Sequence, residues 1–300
     1  MMDLIYVLSP GHSGSTVLGL LLGAHPRIAT AGELKMVPWS YRSGEKCSCG
    51  AVMDQCAFWQ EIARRLRERG FDLGSDDFAT HVSARRTFVE RLIATQVRGT
   101  LGEAARSLFL SAWPPARGRL SHTLACNAAL IEAIYEVSGR SVFLDTSKDA
   151  SRLRYLSDSG RFAIRVLHLV RDGRAVAFSM IKKGLSPRDA ARYWVREHEQ
   201  ARRLRARIGS RVGWMEIHYE SFCEDPDGNL AAVCEFVGIP PDERRLDFRG
   251  WESHILGNRM RLTSGGEITL DTSWQSKLEG ASRQVVSAIT EPLNRSYGYV

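Results

Sequence analysis

A short apolar run, Leu4-Ile5-Tyr6-Val7-Leu8, passes directly into Ser9-Pro10-Gly11-His12-Ser13-Gly14-Ser15-Thr16 and then into a second apolar run that stops at His25-Pro26. Consecutive apolar residues bounded by Ser-Pro-Gly predict a strand buried on both faces, the kind found in a parallel sheet. The following run predicts a helix from about residue 15 to residue 24, closed there because the residue before a proline avoids the α region. A strand that needs cover on both sides and feeds a helix at once constrains the fold more than any other feature of the chain.

The same unit recurs. Strand-like runs at residues 141–144, 164–170 and 212–218 each precede a helical pattern, at 151–156, 175–181 and 229–237. Strands alternating with helices imply a parallel sheet with helices on both faces. Residues 34–56 read as irregular. Residues 57–138 read as mainly helical, with Ile62 and Leu66 at helical spacing, then Phe88, Leu92 and Ile93, a break at Trp113-Pro114-Pro115 and an amphipathic run over 124–137. Further helices are predicted at 186–208 and 281–293, while residues 240–280 are polar, Gly-rich and without periodicity. A chain of 300 residues with 44% hydrophobic and 25% charged residues has the composition of a globular protein with a sizeable core. The expectation is an α/β fold: a P-loop-like parallel sheet flanked by helices. It is read as one domain over residues 1–300, with a helical insertion at about 34–138 between the first two core strands.

Charge narrows the partners only a little. The net charge of +7 favours anionic ligands, but much of the excess lies in helical stretches such as Arg64-Arg65-Leu66-Arg67 and Arg202-Arg203-Leu204-Arg205, which read as solvated faces. No nucleic-acid module is visible, and nucleic acid is not expected as a partner. No apolar stretch approaches the ~20 residues of a membrane helix. The start Met1-Met2-Asp3 lacks the basic region of a signal peptide. A cytoplasmic protein without a membrane span is expected.

Of six cysteines, Cys126 and Cys234 sit in apolar helical contexts and read as small core residues, and Cys223 carries no signal. Cys47, Cys49 and Cys56 cluster within ten residues. A zinc site normally needs four ligands and the neighbourhood offers no fourth. The cluster is read as a local structural feature, with redox chemistry or metal binding as alternatives, and no metal is expected.

Two segments carry chemistry. In the loop after the first strand, Gly11 and Gly14 permit a tight turn and close approach to a ligand. The N–H groups at the helix start then face an anion, aided by the helix dipole, and Ser13, Ser15 and Thr16 add hydroxyl donors. Taken alone, this is also what a Gly/Ser-rich turn with a serine cap looks like. It is not a Walker A motif, which needs Gly-Lys before the Ser/Thr. The second segment is His168-Leu169-Val170-Arg171-Asp172-Gly173-Arg174, again strand into turn into helix, with Ser179 two helical turns after Arg171. Arg171 and Ser179 can converge on one phosphate, with the guanidinium bidentate. The alternative is a structural Arg171–Asp172 ion pair and a buried helical serine.

Together these motifs resemble the sulfotransferase family that uses 3′-phosphoadenosine 5′-phosphosulfate (PAPS). There a strand–loop–helix of [KR]-x-G-[ST]-T character binds the 5′-phosphosulfate, and a later R-D-x-R…S segment binds the 3′-phosphate. His12-Ser13-Gly14-Ser15-Thr16 is most similar to the loops of the tyrosylprotein and carbohydrate branches. Gly32-Glu33 after His25-Pro26, Asp145-Thr146-Ser147-Lys148, His218-Tyr219-Glu220-Ser221-Phe222 with Phe236-Val237-Gly238, Gly257-Asn258-Arg259-Met260-Arg261 and Tyr297-Gly298-Tyr299 follow in the family's order. The resemblance implies transfer of a sulfuryl group to a hydroxyl acceptor, which is a sugar, a lipid, a tyrosine or a small molecule. It implies Glu33 as general base, and Gly11, His12, Ser13, Gly14, Ser15, Thr16, Arg171, Ser179, Tyr219, Arg259 and Arg261 as residues holding the co-substrate. His12 stands where the family usually carries Lys or Arg, and Lys148 is the residue expected to supply the missing charge. Exposed surface charge is the alternative for Glu33, Lys148, Arg259 and Arg261, and a core position for Tyr219.

Other functions are also compatible with parts of the sequence. Residues 141–145 form an apolar strand ending in Asp145, as a Walker B strand does, which suits a P-loop-type kinase or nucleotide hydrolase. The net charge permits a non-enzymatic binder, and His12 permits a family member that keeps the nucleotide site without catalysis.

Overall fold

The computed structural model describes residues 1–81, 99–242, 254–255 and 268–300. Five parallel strands form its core: β1 (Met2–Leu8), β2 (Ile28–Thr30), β3 (Val142–Asp145), β4 (Phe162–Val170) and β5 (Gly213–His218), in the order β2-β3-β1-β4-β5. β1 is the central strand. Its residues alternate between two cores, as the period of a strand requires. Leu4, Tyr6 and Leu8 face one side with Trp59, Ile62, Leu66, Leu130, Ile134 and Leu204, and Ile5 and Val7 face the other with Leu18, Leu22, Leu230 and Val233. Both faces are therefore covered, which accounts for the uninterrupted apolar run in the sequence.

The helices that matter for the site follow the strands. α1 (Ser15–Ala24) follows β1. Between β2 and β3 lie α2 (Val37–Arg42), α3 (Ala57–Glu68), α4 (Thr100–Ala112) and α5 (Pro114–Ser138). After β3 and β4 come α6 (Ala150–Asp158), α7 (Gly173–Ile181) and the long α8 (Pro187–Ile208); α9 (Tyr219–Glu224) and α10 (Pro226–Val237) follow β5, and α11 (Trp274–Lys277) and α12 (Gly280–Ser296) end the described chain. Local chemistry sets several boundaries. Pro114 opens α5, and Gly139 ends it in a left-handed turn (φ 65°). Asp172 caps α7 by accepting from the Arg174 amide at 2.8 Å, and Ser186 caps α8 ahead of Pro187.

The predicted strands and helices after residue 138 match the structure to within a few residues. Three expectations are corrected. β2, only three residues long, was too short to show a pattern, so the helical insertion lies between the second and third strands rather than the first two. The segment read as irregular contains α2 and two 3₁₀ turns, at Leu34–Met36 and Met53–Gln55. Residues 71–81 within the region expected to be helical are turns and bends. The pattern at Phe88, Leu92 and Ile93 and most of the Gly-rich stretch at 240–280 lie outside the described residues. Cys126 and Cys234 are buried in the cores, as expected.

Candidate active site

In an open parallel sheet, ligands bind beyond the carboxyl ends of the strands where the strand order reverses. Here that point is β1 against β4. The chain runs from β1 towards the β2 edge and returns across β1 to β4, and Leu8 pairs with His168 in register. The loop after β1 and the turn after β4 are thus neighbours, and they are the two segments the sequence singled out.

The loop is built by close approach. Gly14 sits at φ 88°, and a Cβ there would lie 2.3 Å from the Tyr219 ring. Gly14 has no side chain with which to cap α1, so the first-turn N–H groups face the loop. The Gly11 N–H is already donated to the Tyr193 hydroxyl at 2.8 Å, so Gly11 shapes the loop and does not serve as a donor to a ligand. His12 adopts a left-handed φ of 66°, a conformation few non-glycine residues take. Ser13 and Ser15 are buried, and Ser13 Oγ has no hydrogen-bond partner.

Arg171 joins the two segments. Its Nη1 donates to the His12 carbonyl at 2.9 Å and its Nη2 to the Asp271 carbonyl at 3.1 Å. The guanidinium lies 4.4 Å over the Tyr219 ring, and the buried Nε has no partner. The Arg171–Asp172 ion pair considered from sequence does not form. Asp172 pairs with Arg174 at 2.7 Å and accepts from Asn294 at 3.0 Å, while the Arg171 backbone is fixed by the Trp194 indole N–H at 3.0 Å. Ser179 is half-buried on α7, its hydroxyl donating to the Ala175 carbonyl at 3.1 Å, and must turn away from that carbonyl to donate to a phosphate. α7 does reach the loop: a Cβ on Gly11 would lie 3.5 Å from the Met180 methyl.

Glu33 and Lys148 meet at 2.6 Å across the ends of β2 and β3, both side chains mostly buried. Neither is the free surface charge considered as an alternative. Lys148 is held at φ 60°, and the loops carrying the pair are laced by Thr146 N–H to the Gly32 carbonyl (3.0 Å) and Lys35 N–H to Ser147 Oγ (3.1 Å). Arg259 and Arg261 lie outside the described residues.

Charge converges on the loop. Burial first, then the cations Lys183, Lys148, Arg171 and Lys182, hold the His12 imidazole below its ordinary range, so it is neutral at pH 7. Lys182, Lys183 and Tyr193 escaped the sequence reading. Two lysines after a helix look like surface charge, and the role of Tyr193 arises only from the packing of α8 beside the loop. Glu197, one turn beyond Tyr193, has its carboxyl raised by burial.

Asp145 is fully buried and accepts from Arg152 Nη2 at 2.9 Å and Nε at 3.1 Å, and from the Ser147 amide at 2.9 Å. Its lone pairs are committed to holding the β3 loop, which removes the strand-end acid that a P-loop kinase or hydrolase would use.

A sulfotransferase family profile matches residues 4–243. Protein-tyrosine sulfotransferase 2 of Gallus gallus is 23% identical over 311 aligned positions, which take in 100% of this chain and 64% of that protein, so the chain spans less than two-thirds of its length. The structure is similar to the sulfotransferase domain of the Synechococcus PCC 7002 olefin synthase (TM-score 0.52, 20% identity, covering 100% of this chain and 95% of that one). It is also similar to the sulfotransferase domain from the curacin biosynthetic pathway (TM-score 0.57, 16% identity, covering 100% and 99%). These neighbours share the P-loop-like α/β fold of a parallel sheet flanked by helices. No helix among the described residues is long and apolar enough to cross a membrane.

Proposed function

The chain belongs to the sulfotransferase family, and from that membership we propose that it moves a sulfuryl group from PAPS to a hydroxyl acceptor. The observation that supports the reading is the Arg171–His12 contact between the loop after β1 and the turn after β4, which follow paired strands. The residues suit a nucleotide with phosphate at both ends. Ser13 Oγ and Arg171 Nε are buried donors without partners, and four cations surround His12. A buried donor left unpaired costs about 1–3 kcal/mol, and an anion bound between these segments would relieve that.

When bound, PAPS supplies the sulfuryl group, whose S–O bond to the 5′-phosphate breaks as the acceptor oxygen bonds to sulfur. The Ser13–Thr16 segment holds the phosphosulfate end through hydroxyls and first-turn N–H groups, with Gly11 and Gly14 shaping the approach. Arg171 and Ser179 hold the 3′-phosphate, and Tyr219 keeps the Arg171 fork in plane. Glu33 takes the acceptor proton. Lys148, against Glu33, and His12, as a neutral donor, steady charge on the departing phosphate oxygen. Arg259 and Arg261 add to the 3′-phosphate site. The acceptor is a sugar, a lipid, a tyrosine or a small alcohol.

The test is donor turnover with pooled acceptors of these four kinds. Formation of 3′-phosphoadenosine 5′-phosphate (PAP) together with a sulfated acceptor supports the proposal, and ATP turnover without PAPS turnover sinks it.

A further inference from the structure

Among residues that the proposed transfer does not use, the cysteine cluster finds the fourth partner that its sequence neighbourhood lacks. Cys47, Cys49, Cys56 and His254 bring their ligand atoms within 4.8 Å of one another. Cys47 Sγ and Cys56 Sγ each lie 3.4 Å from His254 Nδ1, and Cys49 Sγ lies 3.6 Å from Cys56 Sγ. Around a zinc ion with bonds of about 2.3 Å to sulfur and about 2.0 Å to nitrogen, tetrahedral geometry separates two sulfurs by roughly 3.8 Å and sulfur from nitrogen by roughly 3.5 Å. The four side chains already stand close to those spacings, and all three thiols are free rather than disulfide-bonded.

The surrounding backbone holds the ligands in place. Cys47 and Cys49 lie on a tight hairpin. The Cys47 amide donates to the Ala51 carbonyl and the Gly50 amide to the Cys47 carbonyl, both at 2.9 Å, and an antiparallel bridge pairs Lys46 with Val52. Gly50 takes φ 92°, which a side chain would resist. Cys56 immediately precedes α3. The His254 ring stacks on Phe58 at 4.3 Å with 6° between planes, and the Ile255 amide donates to Ser48 Oγ at 2.9 Å. Both chain segments of the contact thus make contacts that do not involve the sulfurs.

We propose that Cys47, Cys49, Cys56 and His254 bind one zinc ion that pins residue 254 to the hairpin and to α3. Four protein ligands close the coordination sphere, so the ion is structural and takes no part in transfer. Cys49 is the exposed ligand and marks the side from which the ion enters.

Protein purified without chelator should hold about one zinc per chain by elemental analysis. Cobalt in its place should give the intense visible bands of tetrahedral Co(II) and a thiolate charge-transfer band, a readout that needs no variant. Cys49→Ser should keep the native circular dichroism and bind zinc at least tenfold more weakly, while Cys223→Ser binds it as the parent does. The proposal is overturned if zinc-supplemented parent protein carries no stoichiometric zinc and its three thiols react freely with a disulfide reagent. It is equally overturned by a native disulfide among the three cysteines, by an octahedral cobalt spectrum, or by Cys49→Ser with undiminished zinc affinity.

Discussion

Arg171 Nη1 donates to the main-chain carbonyl of His12 at 2.9 Å, so the guanidinium expected to grip one end of the nucleotide also fixes the loop expected to hold the other. Replacing Arg171 therefore removes a charged hydrogen-bond donor and releases the loop. Arg171→Lys keeps the charge but loses the fork. Turnover of PAPS should fall in both Arg171→Ala and Arg171→Lys, with the larger part of the loss in KM for the donor. A loss confined to kcat would place Arg171 elsewhere in the cycle.

Gly14 tolerates no side chain. Alanine there pays about 1–2 kcal/mol for the left-handed conformation and about 1–3 kcal/mol for overlap with the Tyr219 ring 2.3 Å away. Urea unfolding of Gly14→Ala should show that combined loss, and nucleotide binding should weaken with it. Unchanged stability would mean that the ring moves aside freely.

Glu33→Gln should retain nucleotide binding while kcat falls by about 10²- to 10⁴-fold, the usual worth of a positioned base. A loss of less than threefold would remove Glu33 from the proton path. Glu197, whose carboxyl is raised by burial, would be the next candidate.

Stability should fall as the pH drops through the imidazole range. His12, His168 and His198 are all held below the ordinary value: His12 by burial and the cations around it, His168 by burial against the opposing pull of Glu216, and His198 by burial beside His168. His168 Nε2 and His198 Nδ1 lie 3.0 Å apart, so the pair shares a single hydrogen. The unfolded chain then binds protons that the folded chain refuses, and the stability these residues contribute is complete above about pH 6.5 and is lost on acidification below it. Denaturant midpoints from pH 8 to pH 5 should show the decline, and His198→Gln should flatten it. A slope unaltered in that variant would assign the acid sensitivity to other groups.

The buried Asp145–Arg152 pair is asymmetric under mutation. Arg152→Ala leaves a carboxylate with 0% exposure facing no cation, which costs about 3–5 kcal/mol. Thermal unfolding should register that loss. A cost below about 1 kcal/mol would show that water reaches the Asp145 site at little expense once the arginine is gone.

How much of this was legible depends on how far apart in sequence the interacting groups lie. The apolar run in β1 and the turn residues after β1 and β4 announced the sheet and the two segments proposed to hold anions, because each signal sits within a dozen residues. Parallel neighbours cannot be read that way, so nothing in the sequence joined Arg171 to His12 except a family pattern. Asp145 looked like the acid that ends a Walker B strand because the partner that claims it, Arg152, lies on the next helix. Tyr193 and Lys183 reach the loop only through the packing of α7 and α8, and β2 is too short to reveal a period. His254 stands 198 residues beyond Cys56 and completes its cluster through a tertiary contact alone.

Titration with PAP, followed by thermal unfolding and set beside ADP and ATP, tests the central claim most directly. A ligand bound only by the folded chain raises its stability by mass action, about 2.7 kcal/mol at a hundred times Kd. Saturating stabilisation by PAP, well above that from ADP or ATP and abolished in Arg171→Ala, is the predicted result. Equal or greater stabilisation by ATP, or an undiminished PAP response in Arg171→Ala, would contradict it.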